Sequence, residues 1–206
     1  MQFADFAKAL AIAVIALGGL VAPALANSAV AGHPVFIKVS GATSIPVGHL
    51  DFCRQHPRDC AAHANPVAAV ELTETRWMEL LAVNSYFNET IIAMTDEEIY
   101  GVAEMWAYPE IYGDCEDFAL AKRRALIEAG WPASALLITV VRETNGAGHA
   151  VLTVRTDRGD LVLDNQDGMI RVWNETPYQF LKRQSQAHAG QWVDLLDERT
   201  TIVAAR

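Results

Sequence analysis

The spacing of apolar residues predicts three helices in the middle of the chain. Asn65-Pro66 suits a helix start, with asparagine as N-cap and proline at the first helical position, and apolar side chains then recur at helical spacing to about Asn88. Thr95-Asp96-Glu97-Glu98 has the pattern of a capping box and predicts a shorter helix that reaches about Trp106. A third helix is expected over residues 114–129.

Runs rich in β-branched residues follow the third helix and alternate with turn signals. The turns are Asn145-Gly146-Ala147-Gly148 and Asp157-Arg158-Gly159-Asp160. Strands joined by such short turns pair in an antiparallel way, so the sequence predicts an α+β domain whose more N-terminal helices pack on an antiparallel sheet. The predicted strands cover residues 136–141, 149–155 and 161–164, with a further short strand at 35–39.

The composition is that of a globular protein, and the charge narrows the range of partners. The chain has 206 residues, of which 51% are hydrophobic, so it is long enough for one ordinary domain with a real core. Its net charge of −9 argues against nucleic acid or an anionic membrane as the main partner. Ordinary solubility explains the same charge, and the oligomeric state is left open.

The first 26 residues have the pattern of an export signal. Lys8 precedes an apolar run, and Ala24-Leu25-Ala26 closes the segment as a small-x-small cleavage site. An uncleaved membrane anchor is the alternative, but the run is short for a spanning helix and is interrupted by Gly18-Gly19. We therefore expect a signal peptide at residues 1–26, cleaved after Ala26, and a single exported domain at residues 27–206.

Three cysteines occur in this chain, and the cysteines of exported proteins tend to pair. Cys53 and Cys60 flank a loop that is short enough to close as a disulfide. A metal site made by these two cysteines with His56 and His63 is the alternative, although the spacing fits no common zinc pattern well. If the first two cysteines pair, Cys115 is left over, and a free thiol in an oxidising compartment suggests a chemical role.

Cys115 stands where an irregular segment turns into the third predicted helix. At a helix start the dipole and the unpaired backbone N–H groups favour a thiolate, and the backbone N–H of the cysteine is placed to donate to an oxyanion. His149 lies on a later predicted strand, and Asp164 ends the strand after it. Because one tight turn joins those strands, the sequence predicts a nucleophile, a base and an orienting carboxylate on neighbouring elements.

Each of these three residues also has an ordinary structural explanation. A cysteine at a helix start is more often a small buried residue, and a lone histidine in a strand is usually structural. An aspartate followed by an asparagine is common in turns. The three residues nevertheless occur together in one short window of a chain expected to be exported, which favours a thiol hydrolase or transferase.

The same window resembles the bacterial transglutaminase-like cysteine peptidases, the family of the LapG-like periplasmic proteases. The resemblance covers roughly residues 45–175 and is carried by Trp106-Ala107-Tyr108-Pro109-Glu110, Gly113-Asp114-Cys115-Glu116-Asp117, His149-Ala150-Val151-Leu152 and Leu163-Asp164-Asn165, with Phe52-Cys53 and Cys60 also similar. It implies a papain-like, transglutaminase-type fold and a periplasmic location. It also implies that Cys115 is the nucleophile, His149 the base and Asp164 the residue that orients the base.

The resemblance further implies a calcium ion beside the nucleophile. In the family the flanking carboxylates bind calcium, and the matching positions here are Asp114 and Glu116, with Asp117 adjacent. Carboxylate oxygens suit calcium, and a bound cation would reverse the negative field next to a thiolate. Carboxylates that only stabilise the first turn of the helix are the alternative. Remaining ligands would be backbone carbonyls, waters or a side chain such as Asn145.

The sequence indicates the oxyanion donor and the substrate less clearly than it indicates the nucleophile and the base. Trp106 and Tyr108 are candidates for a second oxyanion donor, and core packing explains them equally well. The resemblance implies a large surface adhesin as substrate, hence a role in biofilms, and a membrane-bound inhibitory receptor as partner. The alternative functions are acyl transfer or amidase action on protein or cell-wall peptide, and a non-catalytic binding module on the same fold.

Overall fold

The computed structural model describes residues 35–201, and these form one large sheet and one small one. The strands are β1 (Lys38–Thr43), β2 (Ile92–Ala93), β3 (Tyr112–Gly113), β4 (Leu136–Arg142), β5 (Gly148–Thr156), β6 (Gly159–Leu163), β7 (Arg171–Val172), β8 (Gln179–Gln184) and β9 (Trp192–Leu196). The large sheet is antiparallel throughout, in the order β1-β9-β8-β4-β5-β6-β7, and β2 pairs with β3 in parallel. The predicted signal peptide, residues 1–26, lies outside the described residues.

The helices all precede the main run of strands, as the α+β prediction requires. They are α1 (Val47–Gln55), α2 (Glu74–Thr90), α3 (Asp96–Tyr100) and α4 (Cys115–Glu128). α4 lies between β5 and α2, and its buried Leu120 and Leu126 join the main hydrophobic core with Leu136 and Leu152 of the sheet. Within the described part of the chain, no helix combines the length and the apolar character needed to cross a bilayer.

The start of α2 differs from the prediction. Residues 65–73 are irregular rather than helical, and Val70 is held beside β5 because its N–H donates to the Arg155 carbonyl at 3.0 Å. The helix begins only after Thr73, whose hydroxyl accepts a hydrogen bond from the Arg76 N–H. The helix start predicted at Asn65-Pro66 is therefore wrong, because bonds to the sheet satisfy this backbone first.

The start of α3 is as predicted, but its end is not. Thr95 and Glu98 form the reciprocal capping box, and the helix ends after about one turn at Gly101, which adopts a left-handed φ of 70°. The chain then turns back, and the Met105 N–H donates to the buried carboxylate of Asp96. The extension to Trp106 is therefore wrong, and the turned-back segment brings its residues towards the start of α4.

A disulfide joins the end of α1 to the loop that follows it. Cys53 and Cys60 are bonded at 2.03 Å, so their sulfurs are not available to the alternative metal site with His56 and His63. The histidine beside the disulfide is His49, which is 1% exposed and accepts a hydrogen bond from the Trp192 indole at 3.0 Å. This part of α1 is thus anchored to the sheet through β9.

Candidate active site

Cys115 is the first residue of α4. Asp114 precedes it as the N-cap, with an extended backbone whose carbonyl accepts from the Phe118 N–H at 3.1 Å. Helix geometry leaves the first N–H groups of α4 without partners inside the helix. The cysteine is a free thiol and is partly exposed. A sulfur in this position faces the positive end of the helix dipole.

His149 and Asp164 form a buried hydrogen-bonded pair at the edge of the sheet. His149 is the second residue of β5, Asp164 follows β6 directly, and the antiparallel pairing of the two strands brings them together. His149 Nε2 lies 2.9 Å from Asp164 Oδ1, and the two side chains are 1% and 3% exposed. This bond leaves Nδ1 as the basic nitrogen of the imidazole, and the Gln166 amide nitrogen lies 3.4 Å from it.

The Asp164 carboxylate accepts further hydrogen bonds that keep it ionised. The Gln166 N–H donates to Oδ1 at 2.9 Å, and the Tyr178 hydroxyl donates to Oδ2 at 2.5 Å. Burial by itself would raise the pKa of Asp164, but the bonds and charge of His149, then Tyr178 and Gln166, outweigh it and hold that pKa below its usual value. The carboxylate is therefore charged and fixed in orientation.

Cys115 and His149 line the same cavity, which has a volume of about 340 Å³. The Cys115 sulfur also interacts with the backbone N–H of Ala150, the residue after His149, which places it against β5. Its proton is donated to Glu116 Oε2 at 3.1 Å. The other lining residues are Pro46, Glu104, Trp106, Asp114, Val140, Gly148 and Lys182. The structure thus brings the three sequence-predicted catalytic residues to one site, with a carboxylate next to the thiol.

The thiol is not activated by its immediate carboxylate neighbours. Burial raises the pKa of Cys115, and the charge and hydrogen bond of Glu116 raise it further. Burial and Asp114 likewise raise the pKa of Glu116, to about 9. The raised pKa values of both groups mean that this site resists negative charge, so a thiolate at Cys115 requires compensating positive charge.

Five carboxylates gather beside the thiol, two more than the sequence predicted. Asp96, Glu104 and Glu116 each offer an oxygen within 4.8 Å of the others, and so do Asp96, Asp114 and Asp117. Of the added members, Asp96 is the first residue of α3, and Glu104 lies on the turned-back segment that follows this helix. Asn145, named as a further ligand from the sequence, instead donates to Glu143 in the β4–β5 turn at 2.9 Å.

Several carboxylate oxygens of this cluster are buried without a hydrogen-bond donor. Among the described residues, four of the carboxylates each have one buried oxygen without a hydrogen-bond partner; these oxygens are Asp96 Oδ1, Asp114 Oδ1, Glu116 Oε1 and Asp117 Oδ2. Burial raises the pKa of Asp117 to about 7 and also raises the pKa values of Asp96 and Asp114. Converging carboxylate oxygens without donors are the ligand set that a hard divalent cation such as Ca²⁺ requires.

The two oxyanion candidates lie in different places. The Trp106 side chain lines the cavity of Cys115 and His149, and its indole N–H donates to Glu104 Oε1 at 2.7 Å. The Tyr108 hydroxyl donates to Asp59 at 3.0 Å and lies in a separate cavity with Arg123. The structure therefore brings Trp106 to the site and does not bring Tyr108 there.

A comparison with protein families identifies this arrangement. Residues 39–200 match the family described as bacterial transglutaminase-like cysteine proteinase BTLCP. The chain belongs to this family. The α+β, transglutaminase-type fold and the assignment to cysteine proteinases that the sequence predicts are thereby confirmed. A comparison with curated proteins gives no significant match.

Solved structures similar to this bacterial transglutaminase-like cysteine proteinase include three of LapG from Legionella pneumophila. The calcium-bound form is 29% identical with a TM-score of 0.46, and the match covers 52% of this chain and 64% of that one, which is less than two thirds. A second LapG structure is 28% identical with a TM-score of 0.48, covering 57% and 68%. The EGTA-treated form is 25% identical with a TM-score of 0.47, covering 60% and 73%.

Four residues that contact the site of this family member were not predicted from its sequence. Asp96 and Glu104 complete the carboxylate cluster, while Gln166 and Tyr178 contact the His149–Asp164 pair. The acidic residues after Thr95 fit a capping box at a helix start, so this pattern provides no reason to assign them to the site. Nothing in the local pattern around Tyr178 indicates that its hydroxyl reaches Asp164, because they approach only when β8 joins the sheet.

Proposed function

We propose that this chain is a periplasmic cysteine endopeptidase in which Cys115 is the nucleophile, His149 the base and Asp164 the residue that orients the base. The observation that carries the proposal is the buried 2.9 Å bond between His149 and Asp164 beside a cavity that also holds a thiol at a helix start. Cysteine, histidine and aspartate in this order are the parts that an acyl-transfer reaction needs.

The proposed reaction has two halves. His149 takes the thiol proton at Nδ1 while the Cys115 sulfur bonds to the carbonyl carbon of a peptide, and the backbone N–H of Cys115 donates to the resulting oxyanion. His149 then gives its proton to the leaving amine, the C–N bond breaks, and an acyl thioester remains on Cys115. In the second half His149 deprotonates a water that attacks the thioester, which releases the carboxylate product and the thiol. Asp164 compensates the imidazolium charge in both halves.

Cleavage of surface proteins tests this proposal. We expect a membrane fraction rich in surface proteins to yield new fragments with the wild-type protein, and iodoacetamide, Cys115→Ser or His149→Ala to abolish them. Fragment masses that sum to the intact chain plus one water identify hydrolysis, whereas loss of ammonia with incorporation of an added amine identifies acyl transfer. Products that persist with Cys115→Ser would contradict the proposal.

We also propose that the carboxylate cluster binds calcium. The support is the set of four buried oxygens without hydrogen-bond donors, contributed by Asp96, Asp114, Glu116 and Asp117, together with the adjacent Glu104. When bound, the cation supplies positive charge that offsets these carboxylates and lowers the pKa of the neighbouring thiol. Glu116, which accepts a hydrogen bond from the Cys115 thiol, would hold the ion together with the other carboxylates, and His149 would remain the base for the thiol proton.

Calcium titration of chelator-treated protein, followed by calorimetry, tests the metal site without relying on activity. We expect saturable binding of one ion that Asp96→Asn or Glu104→Gln weakens about ten-fold or more, because each substitution removes a charged ligand. Glu128→Gln, an exposed change at the far end of α4, is the matched control and should leave the affinity unchanged. Equal calcium affinity in all four proteins would refute the assignment.

A large surface adhesin is the substrate that we propose, and a membrane-bound inhibitory receptor is the proposed partner. The support for both is the resemblance of the motifs around Cys115 to the LapG-like family, and the support for a periplasmic location is the signal pattern in residues 1–26. In cells, loss of a surface adhesin that depends on an intact Cys115 would support the substrate, and unchanged surface proteins would count against it.

A further inference from the structure

The Asp164 carboxylate is held on both of its oxygens. Oδ1 accepts from His149 Nε2 and from the Gln166 N–H, both at 2.9 Å. Oδ2 accepts from the Tyr178 hydroxyl at 2.5 Å. An oxygen buried in this way needs a donor, because an unpaired lone pair of a carboxylate is costly away from water. Tyr178 therefore fixes the half of the carboxylate that His149 does not touch.

Tyr178 is itself anchored in a way that suits this task. Its ring lies 5.4 Å from the His149 ring, centroid to centroid. It also packs against a group of buried apolar side chains that includes Val162 and Phe180. Its backbone carbonyl accepts from Arg199 Nη2 at 2.7 Å. Burial and the neighbouring Asp164 raise the pKa of the Tyr178 hydroxyl above its usual value, so it stays protonated and remains a donor wherever Asp164 is charged.

We infer that Tyr178 is a positioning residue for catalysis: its hydroxyl holds the Asp164 carboxylate in the orientation that aims His149 at Cys115. The inference rests on the proposed function, because it assigns Tyr178 to the same reaction. Tyr178 acts through Asp164 and not on the substrate, since the lining of the Cys115 cavity does not include it.

The surroundings of Asp164 indicate what the hydroxyl contributes. His149 from β5 and Lys122 from α4 face the carboxylate with positive or potentially positive charge, while Asp167 on the same loop opposes it. Asn88 from α2 bonds only to the Asp164 backbone carbonyl, at 2.8 Å. Without the hydroxyl, Oδ2 would lose its donor and the carboxylate could rotate, so the imidazole would lose its fixed direction.

Two measurements on calcium-saturated protein test Tyr178→Phe, which keeps the ring and removes only the hydroxyl. The first is the rate of Cys115 alkylation by iodoacetamide at neutral pH, followed by mass spectrometry. The second is the proton signal of His149 Nε2–H in protein labelled with [15N]histidine, identified by its loss in His149→Ala. We expect alkylation to slow about ten-fold, the size of one lost hydrogen bond to a charged group, and the proton signal to shift or broaden.

Controls separate this role from a general structural one. Tyr86→Phe, an exposed tyrosine on α2, should match the wild type in both measurements. In an Asp164→Ala background, Tyr178→Phe should slow alkylation no further, because the carboxylate it acts through is gone. A wild-type rate and signal in Tyr178→Phe, or an equal further loss in the Asp164→Ala background, would overturn the inference.

The same data distinguish failure of the inference from failure of the proposed function. If His149→Ala and Asp164→Ala are alkylated as fast as the wild type, the catalytic assignment itself is wrong. If those two substitutions slow alkylation and Tyr178→Phe does not, only the role of Tyr178 is wrong.

Discussion

Individual side chains at this site hold the backbone in place through hydrogen bonds. Glu104 belongs to the carboxylate cluster and also accepts the Trp106 indole N–H, while Asp117 accepts the Ala107 N–H at 2.7 Å. The segment around Trp106 is therefore tied to the start of α4 by the same groups that we propose bind calcium. A change that displaces this segment should affect both stability and the shape of the cavity.

Gly48→Ala is such a change. A Cβ at Gly48 would lie 2.3 Å from Trp106 Cδ1 and 3.0 Å from Glu104 Cγ, and Trp106 is buried. Alanine is favoured over glycine inside a helix by about 1 kcal/mol, whereas overpacking of a core costs about 1–3 kcal/mol. Since the clash involves a rigid buried ring, we expect overpacking to outweigh the gain in helix propensity. The free energy of unfolding should fall by about 1 kcal/mol or more. Urea unfolding of the Gly48→Ala and wild-type proteins measures this difference in stability.

Gly41→Ala is the matched control, because a Cβ there would have no atom within 4 Å. It should leave the urea midpoint unchanged or raise it slightly, since glycine is unfavourable inside a strand. Equal stability of the Gly48→Ala and Gly41→Ala proteins would show that the indole can move aside.

At the scale of elements, short segments are held by bonds to distant parts of the chain. α1 is nine residues long, and among the described residues its N-cap makes no side-chain hydrogen bond. It is secured by the Cys53–Cys60 disulfide at one end and by the bond of His49 to Trp192. Isolated helices of this length are marginal in water, so we expect α1 to depend on these anchors.

Removing the disulfide should therefore destabilise the protein measurably. The cysteines are 7 residues apart, and the chain-entropy model gives about 2.5 kcal/mol for a loop of this size. We expect Cys53→Ala combined with Cys60→Ala to lower the free energy of unfolding by about this amount. A reductant should produce a comparable loss in Cys115→Ser protein, which keeps only the disulfide cysteines, and none in the double variant. An unchanged unfolding midpoint in reductant would contradict the prediction.

At the scale of the whole molecule, one buried histidine connects helix and sheet. His49 on α1 lies between Gln184 of β8, at 3.1 Å, and Trp192 of β9, at 3.0 Å, and its ring packs against Trp106. The Trp192 indole donates to Nδ1, so this nitrogen must be unprotonated. Burial, and secondarily the charge of Arg123, lower the pKa of His49 from 6.5 to about 4.

This pKa shift predicts how stability depends on pH. Between pH 6.5 and about 4 the unfolded chain binds a proton at His49 that the folded chain does not, so the contribution of His49 to stability is present above pH 6.5 and is lost as the pH falls towards 4. The loss amounts to about 3 kcal/mol. Urea unfolding at several pH values checks it against His49→Asn, which cannot titrate and keeps an acceptor for Trp192. Parallel pH profiles for the two proteins would contradict the prediction.

Local sequence patterns correctly predicted the helix starts and strands whose capping or turn residues lie within a few positions along the chain. The capping box at Thr95, the helix start at Cys115 and the strands on either side of the tight turns are set by neighbouring residues, and the structure contains all of them. The pairing of Cys53 with Cys60 follows from a short loop in the same way. The catalytic roles of Cys115, His149 and Asp164 remain predictions, although the three residues do lie at one site.

Patterns within the sequence were thus enough to indicate the fold class, the family and the position of Cys115 at the start of a helix. The packing of elements that are distant in sequence brings Asp96 and Glu104 to the carboxylates beside Cys115, and the Tyr178 hydroxyl to Asp164. It also keeps residues 65–73 from forming a helix, because the backbone of Val70 bonds to the end of β5 instead. The reason is physical: periodicity and capping act over one or two turns, whereas a buried carboxylate or backbone N–H takes whichever partner the packed elements bring within 3 Å or so.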